Sequence, residues 1–148
     1  MKNDTLTLLE FIFKNADMGK RTLPPIMDRT ENQPLKMALR DFLTEYTDIC
    51  AQAEIQLIAC GHTDPKGLSI PEKLMSDMAV RMNTAKDDSP SNLADMLIKG
   101  GAMGVTDISK QLHTCEQASE DAKALARRLR KCNEDIIERM KDFLSVVS

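Results

Sequence analysis

One run of residues constrains this chain most. Leu35, Leu39, Phe42, Tyr46, Ile49, Ala53, Gln56 and Cys60 follow one another in steps of three and four. That spacing gathers a mostly apolar seam on one side of a helix with 3.6 residues per turn. Asn32 stands where a capping side chain is needed, and Pro34 suits the first turn, where its missing N–H costs nothing. Gly61 stands just past the end, where a left-handed residue closes a helix. A helix over about 34–60 is expected, roughly 40 Å long at 1.5 Å per residue. Such a rod buries its seam only against other long helices.

The rest of the chain supplies them. Leu8, Phe11, Ile12, Asn15, Gly19, Leu23 and Ile26 predict a helix over about 5–27, capped by Asp4 or Thr5. Pro24-Pro25 would kink it or end it early, because proline removes a donor and clashes with the preceding turn. Leu93, Leu97, Gly100, Gly104, Ile108 and Gln111 predict a third helix over about 91–113. Its glycines each cost about 1 kcal/mol relative to alanine, which close approach of a neighbouring helix would explain. A fourth helix is expected over about 117–144, with Ala118, Asp121 or Ala122, Leu125, Leu129, Cys132, Ile136, Met140 and Phe143 inward. Glu134 with Lys131 and Glu138 with Lys141 stand at helical pairing distance on its charged side. No stretch alternates with the period of a strand.

The link from residue 62 to residue 90 is long for a hairpin. Pro71 opens a short helix within it, about 71–83, with Leu74, Met75, Met78 and Met82 on one side. A link of that length suits a crossover between opposite ends of a bundle. The expectation is one all-α domain over 1–148, a four-helix bundle running up-down-down-up with a short crossover helix.

Composition narrows the function. With Phe11, Phe13, Phe42, Phe143 and Tyr46 the only aromatics and ten methionines, Leu, Ala, Ile and Met must fill the interior. A net charge of -3 with interspersed signs gives no pull on polyanions, so no nucleic acid is expected. The run Lys123, Arg127, Arg128, Arg130 and Lys131 has acids beside it and reads as a solvated face. No twenty-residue apolar run exists, so no membrane partner is expected. Met1-Lys2-Asn3-Asp4 leads into no signal-like apolar stretch, and the expected location is cytoplasmic. Cys50, Cys60, Cys115 and Cys132 are widely spaced, which suits reduced and mostly buried thiols.

Leu6-Thr7-Leu8-Leu9-Glu10 through Asp17-Met18-Gly19 resembles the first helix of small bacterial ferritin-like domains. Leu39-Arg40-Asp41-Phe42-Leu43-Thr44-Glu45-Tyr46 resembles their second. The short helix before Lys99-Gly100-Gly101 continues the likeness across nearly the whole chain. The resemblance implies a ferritin-like fold. Metal-binding members of that superfamily carry inward glutamates and Glu-x-x-His on facing helices. This sequence departs from them. Glu45 is followed three residues on by Asp48, Glu54 by Leu57, Glu134 by Ile137 and Glu138 by Lys141. The polar residues on the apolar surfaces are instead Asn15, Asp48, Gln52 and Asp107.

Two readings of function follow. The first is a non-catalytic bundle with a structural or protein-association role, as a homodimer or with another protein partner, and with no cofactor. The second is a metal-binding or redox protein. Cys60 and His62 end the second helix, and His113 and Cys115 end the third. Two cysteines and two histidines suit zinc, or iron, if both ends lie side by side.

Overall fold

The computed structural model describes residues 3–62 and 87–145. Among these there are four α-helices and no strand: α1 (Asp4–Arg29), α2 (Gln33–Ala59), α3 (Pro90–Thr114) and α4 (Glu120–Lys141). The short helix expected over 71–83, and most of the crossover, lie outside the described residues.

Each helix starts on a side chain that takes up an orphan backbone donor. Asn3 Oδ1 accepts from the Leu6 N–H at 3.2 Å, so the first cap is Asn3 rather than Asp4 or Thr5. Asn32 Oδ1 accepts from the Leu35 N–H at 2.9 Å. Ser89 and Ser119 do the same for Asn92 and Ala122. The cap on Ser119 starts α4 three residues later than the apolar spacing alone suggests. α2 closes as its sequence implies: Gly61 has φ +90°, its N–H reaches Ile58 O, and the His62 N–H reaches Leu57 O. These two bonds are the Schellman pair.

Pro24 and Pro25 do not end α1, which continues to Arg29. They free the carbonyls of Lys20 and Arg21, and both residues are exposed, so water can take the place of the lost donors. Leu23 and Ile26 are fully buried around them and hold the segment down.

All four helices feed one apolar cluster. Its fully buried large side chains include Leu8, Leu9 and Ile12 from α1, Leu39, Ile49 and Leu57 from α2, Leu93 and Ile108 from α3, and Leu129 from α4. α1 packs most extensively on α2, and α3 on α4; α2 and α1 also meet α4, and α1 meets α3. α2 and α3 share no extensive contact.

The seams are displaced from the simplest spacing by one residue in places, and each residue is a 100° turn. On α2 the buried line passes through Cys50, Ala53 and Leu57, leaving Gln52 and Cys60 exposed. On α3 it passes through Gly101, and Gly100 is exposed with nothing within 4 Å of a Cβ built on it. Gly100→Ala should therefore stabilise the protein by up to about 1 kcal/mol, read from the thermal midpoint. On the surface of α4, Lys131 Nζ pairs with Asp135 at 2.8 Å rather than with Glu134, and Lys141 takes Glu138 at 2.7 Å as its spacing suggests.

Candidate functional site

The middle of the bundle holds a small polar cluster built by all four helices. α2 brings Tyr46 inward, where its ring and hydroxyl are 5 % exposed. The hydroxyl donates to Asn133 Oδ1 on α4 at 2.5 Å. Asn133 Nδ2 donates in turn to Asn15 Oδ1 on α1 at 3.5 Å. Cys132, also buried, neighbours the same phenol and is coupled to it electrostatically.

Two glycines make room for this cluster. A Cβ at Gly19 would lie 2.8 Å from the Tyr46 ring, so α1 passes bare backbone over the ring. A Cβ at Gly104 would lie 2.6 Å from Asn133 Nδ2, so α3 does the same over the amide. The small residues of α3 thus serve close approach, with Gly101 against Ile137 and Asn133 O completing it.

Burial sets the protonation of these groups. Tyr46 is pushed above the ordinary phenol range, first by desolvation and then by Cys132. Burial pushes Cys132 from 9.0 up to about 12, with Glu45 adding to it. Cys50 is also raised, by burial and then by Asp17. A thiol whose folded pKa is raised keeps its proton in the native state after the unfolded chain has lost it. Its stabilising share is whole below the unfolded pKa and falls away as pH rises. Between pH 9.0 and about 12, Cys132 should lower stability with pH, by up to about 1.4 kcal/mol per unit. Urea unfolding across that range checks it, and Cys132→Ala should flatten the slope.

The cluster is closed and mutually satisfied, and it offers no nucleophile at neutral pH. It also lacks the inward glutamates and histidines that a di-metal carboxylate centre requires. The inward groups at mid-bundle are an amide pair, a phenol and a thiol, and Asp17 is the one carboxylate among the buried polar side chains described. Asp17 Oδ2 lies 3.0 Å from Arg21 Nε, outside hydrogen-bonding alignment.

Of the polar residues expected inside, Asn15 is there, half-buried in the cluster. Asp48, Gln52 and Asp107 are exposed. Asp48 and Glu45 instead hold Arg128 on α4: its Nη2 lies 2.7 Å from Asp48 Oδ2, and its Nε donates to Glu45 Oε1 at 2.8 Å. These contacts raise the guanidinium pKa, Glu45 first. Arg128→Ala should cost only about 1 kcal/mol, since the pair is half-exposed.

Cys60 and His113 are exposed, His62 is half-buried, and Cys115 is buried with its thiol 3.9 Å from Gln111 Oε1. The described residues contain no group of three or more His, Cys, Asp or Glu placed to hold a metal. α1 and α4 both pack against α2 and α3, and the two Cys/His ends lie on helices without extensive mutual contact. None of the four cysteines is joined in a disulfide.

Asn133 and Asp17 are the residues that reading the sequence missed. Asn133 sits between Leu129 and Ile136 at steps of four and three, a spacing that does place it inward.

The outer surface carries a different feature. Met37, Ile55 and Ile58 on α2 are 62 %, 59 % and 56 % exposed. Thr44, Thr47 and Ala51 lie between them on the same side, also exposed. On α3, Met103 stands alone among Lys99, Thr106 and Lys110. No described helix is long and apolar enough to cross a membrane. No protein-family model, curated protein or solved structure matches this chain.

Proposed function

We propose that this protein is a non-catalytic helical bundle of ferritin-like layout that works by binding another protein surface through the outer face of α2. One observation carries the reading. Three large apolar side chains, Met37, Ile55 and Ile58, line up in water on a helix whose opposite side is fully engaged in the core. Single exposed apolar residues need no explanation, but an aligned set marks an interaction surface. The closed Tyr46–Asn133 cluster supports the non-catalytic half, because its polar groups are occupied by one another.

The layout rests on which ends meet. The Asp4 carboxylate accepts from the Gln117 N–H at 3.0 Å, and the Thr5 hydroxyl accepts from the Ser119 N–H at 2.8 Å. At the other end of α1, Arg29 pairs with Asp88 just before α3. An up-down-down-up order accounts for both, with α2 and α3 parallel. Four cysteines without a disulfide suit a cytoplasmic setting.

The test is a photo-crosslinking residue at position 55, introduced in cells that express the protein, with position 106 on the outer face of α3 as control. Discrete protein adducts from 55 and not from 106 support the proposal. Equal or absent adducts from both would remove it.

A zinc or iron site at Cys60, His62, His113 and Cys115 is the second reading. Its one favourable observation is His62 Nδ1, which is buried without a hydrogen-bond partner. Metal analysis of protein purified without chelator tests it. Stoichiometric metal that disappears in His113→Ala supports the site, and metal-free protein refutes it.

A further inference from the structure

We infer that the partner of the α2 face is a second copy of this chain, docked with the two α2 helices antiparallel about a two-fold axis near Thr47. This rests on the association reading above and adds the partner and its orientation. In a two-fold antiparallel pair, each flank of the helix meets the same flank of its partner, reversed end for end. With the axis near Thr47, Met37 falls opposite the partner's Ile58, and Thr44 opposite the partner's Ala51. Large side chains then lie at the two ends of the contact and small ones at its centre. That arrangement lets the helices approach closely.

The charges agree with this register. Lys36 and Arg40 stand near one end of the flank that carries Glu54 near the other. Fourteen residues separate Arg40 from Glu54, about 21 Å along the helix. The two-fold axis brings Arg40 opposite the partner's Glu54. Neither is ion-paired within the chain among the described residues, so both charges are available. On the opposite flank the acid nearest the axis is Asp48, and Arg128 already neutralises it at 2.7 Å. A parallel pair, with its two-fold axis along the helices, would hold Arg40 about 21 Å from the partner's Glu54, so this ion pair could not form.

The area fits a weak dimer. From Met37 to Ile58 the face is about 31 Å long, and at 10–12 Å wide it gives on the order of 700 Å² over both copies, in the range of weak, transient contacts. Association should therefore depend on concentration.

Sedimentation velocity from about 5 µM to about 1 mM brackets a weak association. The native chain should pass from monomer to dimer in that range. Ile55→Lys with Ile58→Lys should weaken the dimer at least about 100-fold. Arg40→Glu alone should weaken it about 10-fold, and adding Glu54→Arg should restore it, because reversing both charges rebuilds the same pair. All these positions are at least partly exposed, and circular dichroism verifies that each variant is folded. A monomer at every concentration overturns the inference, as does a dimer indifferent to Ile55 and Ile58. A dimer that is lost in the lysine variant, but whose weakening by Arg40→Glu is not reversed by Glu54→Arg, overturns the antiparallel register. If the chain stays monomeric while position 55 still crosslinks to a different protein, the association reading stands and only the second copy is excluded.

Discussion

Asn133→Ala should lower the unfolding free energy by about 3 kcal/mol, measured by urea denaturation followed by circular dichroism. The loss has three parts. Tyr46 loses the acceptor that takes its hydroxyl proton at 2.5 Å, and a buried hydroxyl left without its partner costs about 1–3 kcal/mol. Asn15 loses its donor, though that bond is long at 3.5 Å and only half-buried. The removed amide also leaves space in a packed interior, where the helices cannot close up fully. Tyr46→Phe alone should cost less, about 1–2 kcal/mol, because the ring that packs on Gly19 is kept. In the Asn133→Ala background Tyr46→Phe should cost nearly nothing, since the hydroxyl it removes has already lost its acceptor. A coupling of about 1 kcal/mol or more is expected from that cycle. Strict additivity would show that the phenol and the amide do not act as one unit.

Gly104→Val is the second large effect. The new Cβ would sit 2.6 Å from Asn133 Nδ2 and 3.1 Å from its Cγ, a separation no packed pair sustains. Either α3 withdraws from α4, losing packing around Gly101 and Ile108, or the amide turns away from Tyr46. Each path costs about 2–4 kcal/mol, more than the helix propensity gained by replacing glycine. Thermal unfolding should show a midpoint lowered by several degrees or more. The contrast with Gly100 is the informative part. Two residues of the same type, four apart on one helix, should respond to alanine with opposite signs. Only the one facing Asn133 is required to be bare. Placing Gly104→Ala in the Asn133→Ala background should remove most of its penalty, because the atoms it would meet are gone.

How much of this was legible in the sequence depends on the distance over which a spacing must hold. The α2 seam, the Asn32 cap and the Gly61 closure were readable because each rests on residues within one or two turns. The inward line then drifted along the helix. Beyond Ala53 it had moved from Gln56 and Cys60 to Leu57, and a single-residue step turns a side chain through 100°. That drift is why Asp48 and Gln52 were expected inside and are exposed, and why Gly100 was exchanged for Gly101. Asn133 was hidden by its neighbours rather than by its spacing. It lies among Arg130, Lys131, Glu134 and Asp135, and the charge of that run masks one inward amide. Tyr46 was placed correctly, but its partner was 87 residues away, and no local pattern encodes such a pairing. The outer face of α2 was not distinguished either, because Met37, Ile55 and Ile58 read as ordinary helix formers until their exposure is known.

In the proposed role, α1, α3 and α4 are the support and the outer face of α2 is the working surface. The most direct measurement is the set of backbone amide chemical shifts of uniformly labelled protein as it is concentrated. Shifts and broadening should appear at Met37, Thr44, Ala51, Ile55 and Ile58, while Asn15, Tyr46 and Asn133 stay fixed. Changes centred on the outer faces of α3 or α4, or in the Tyr46–Asn133 cluster with α2 unmoved, would contradict it.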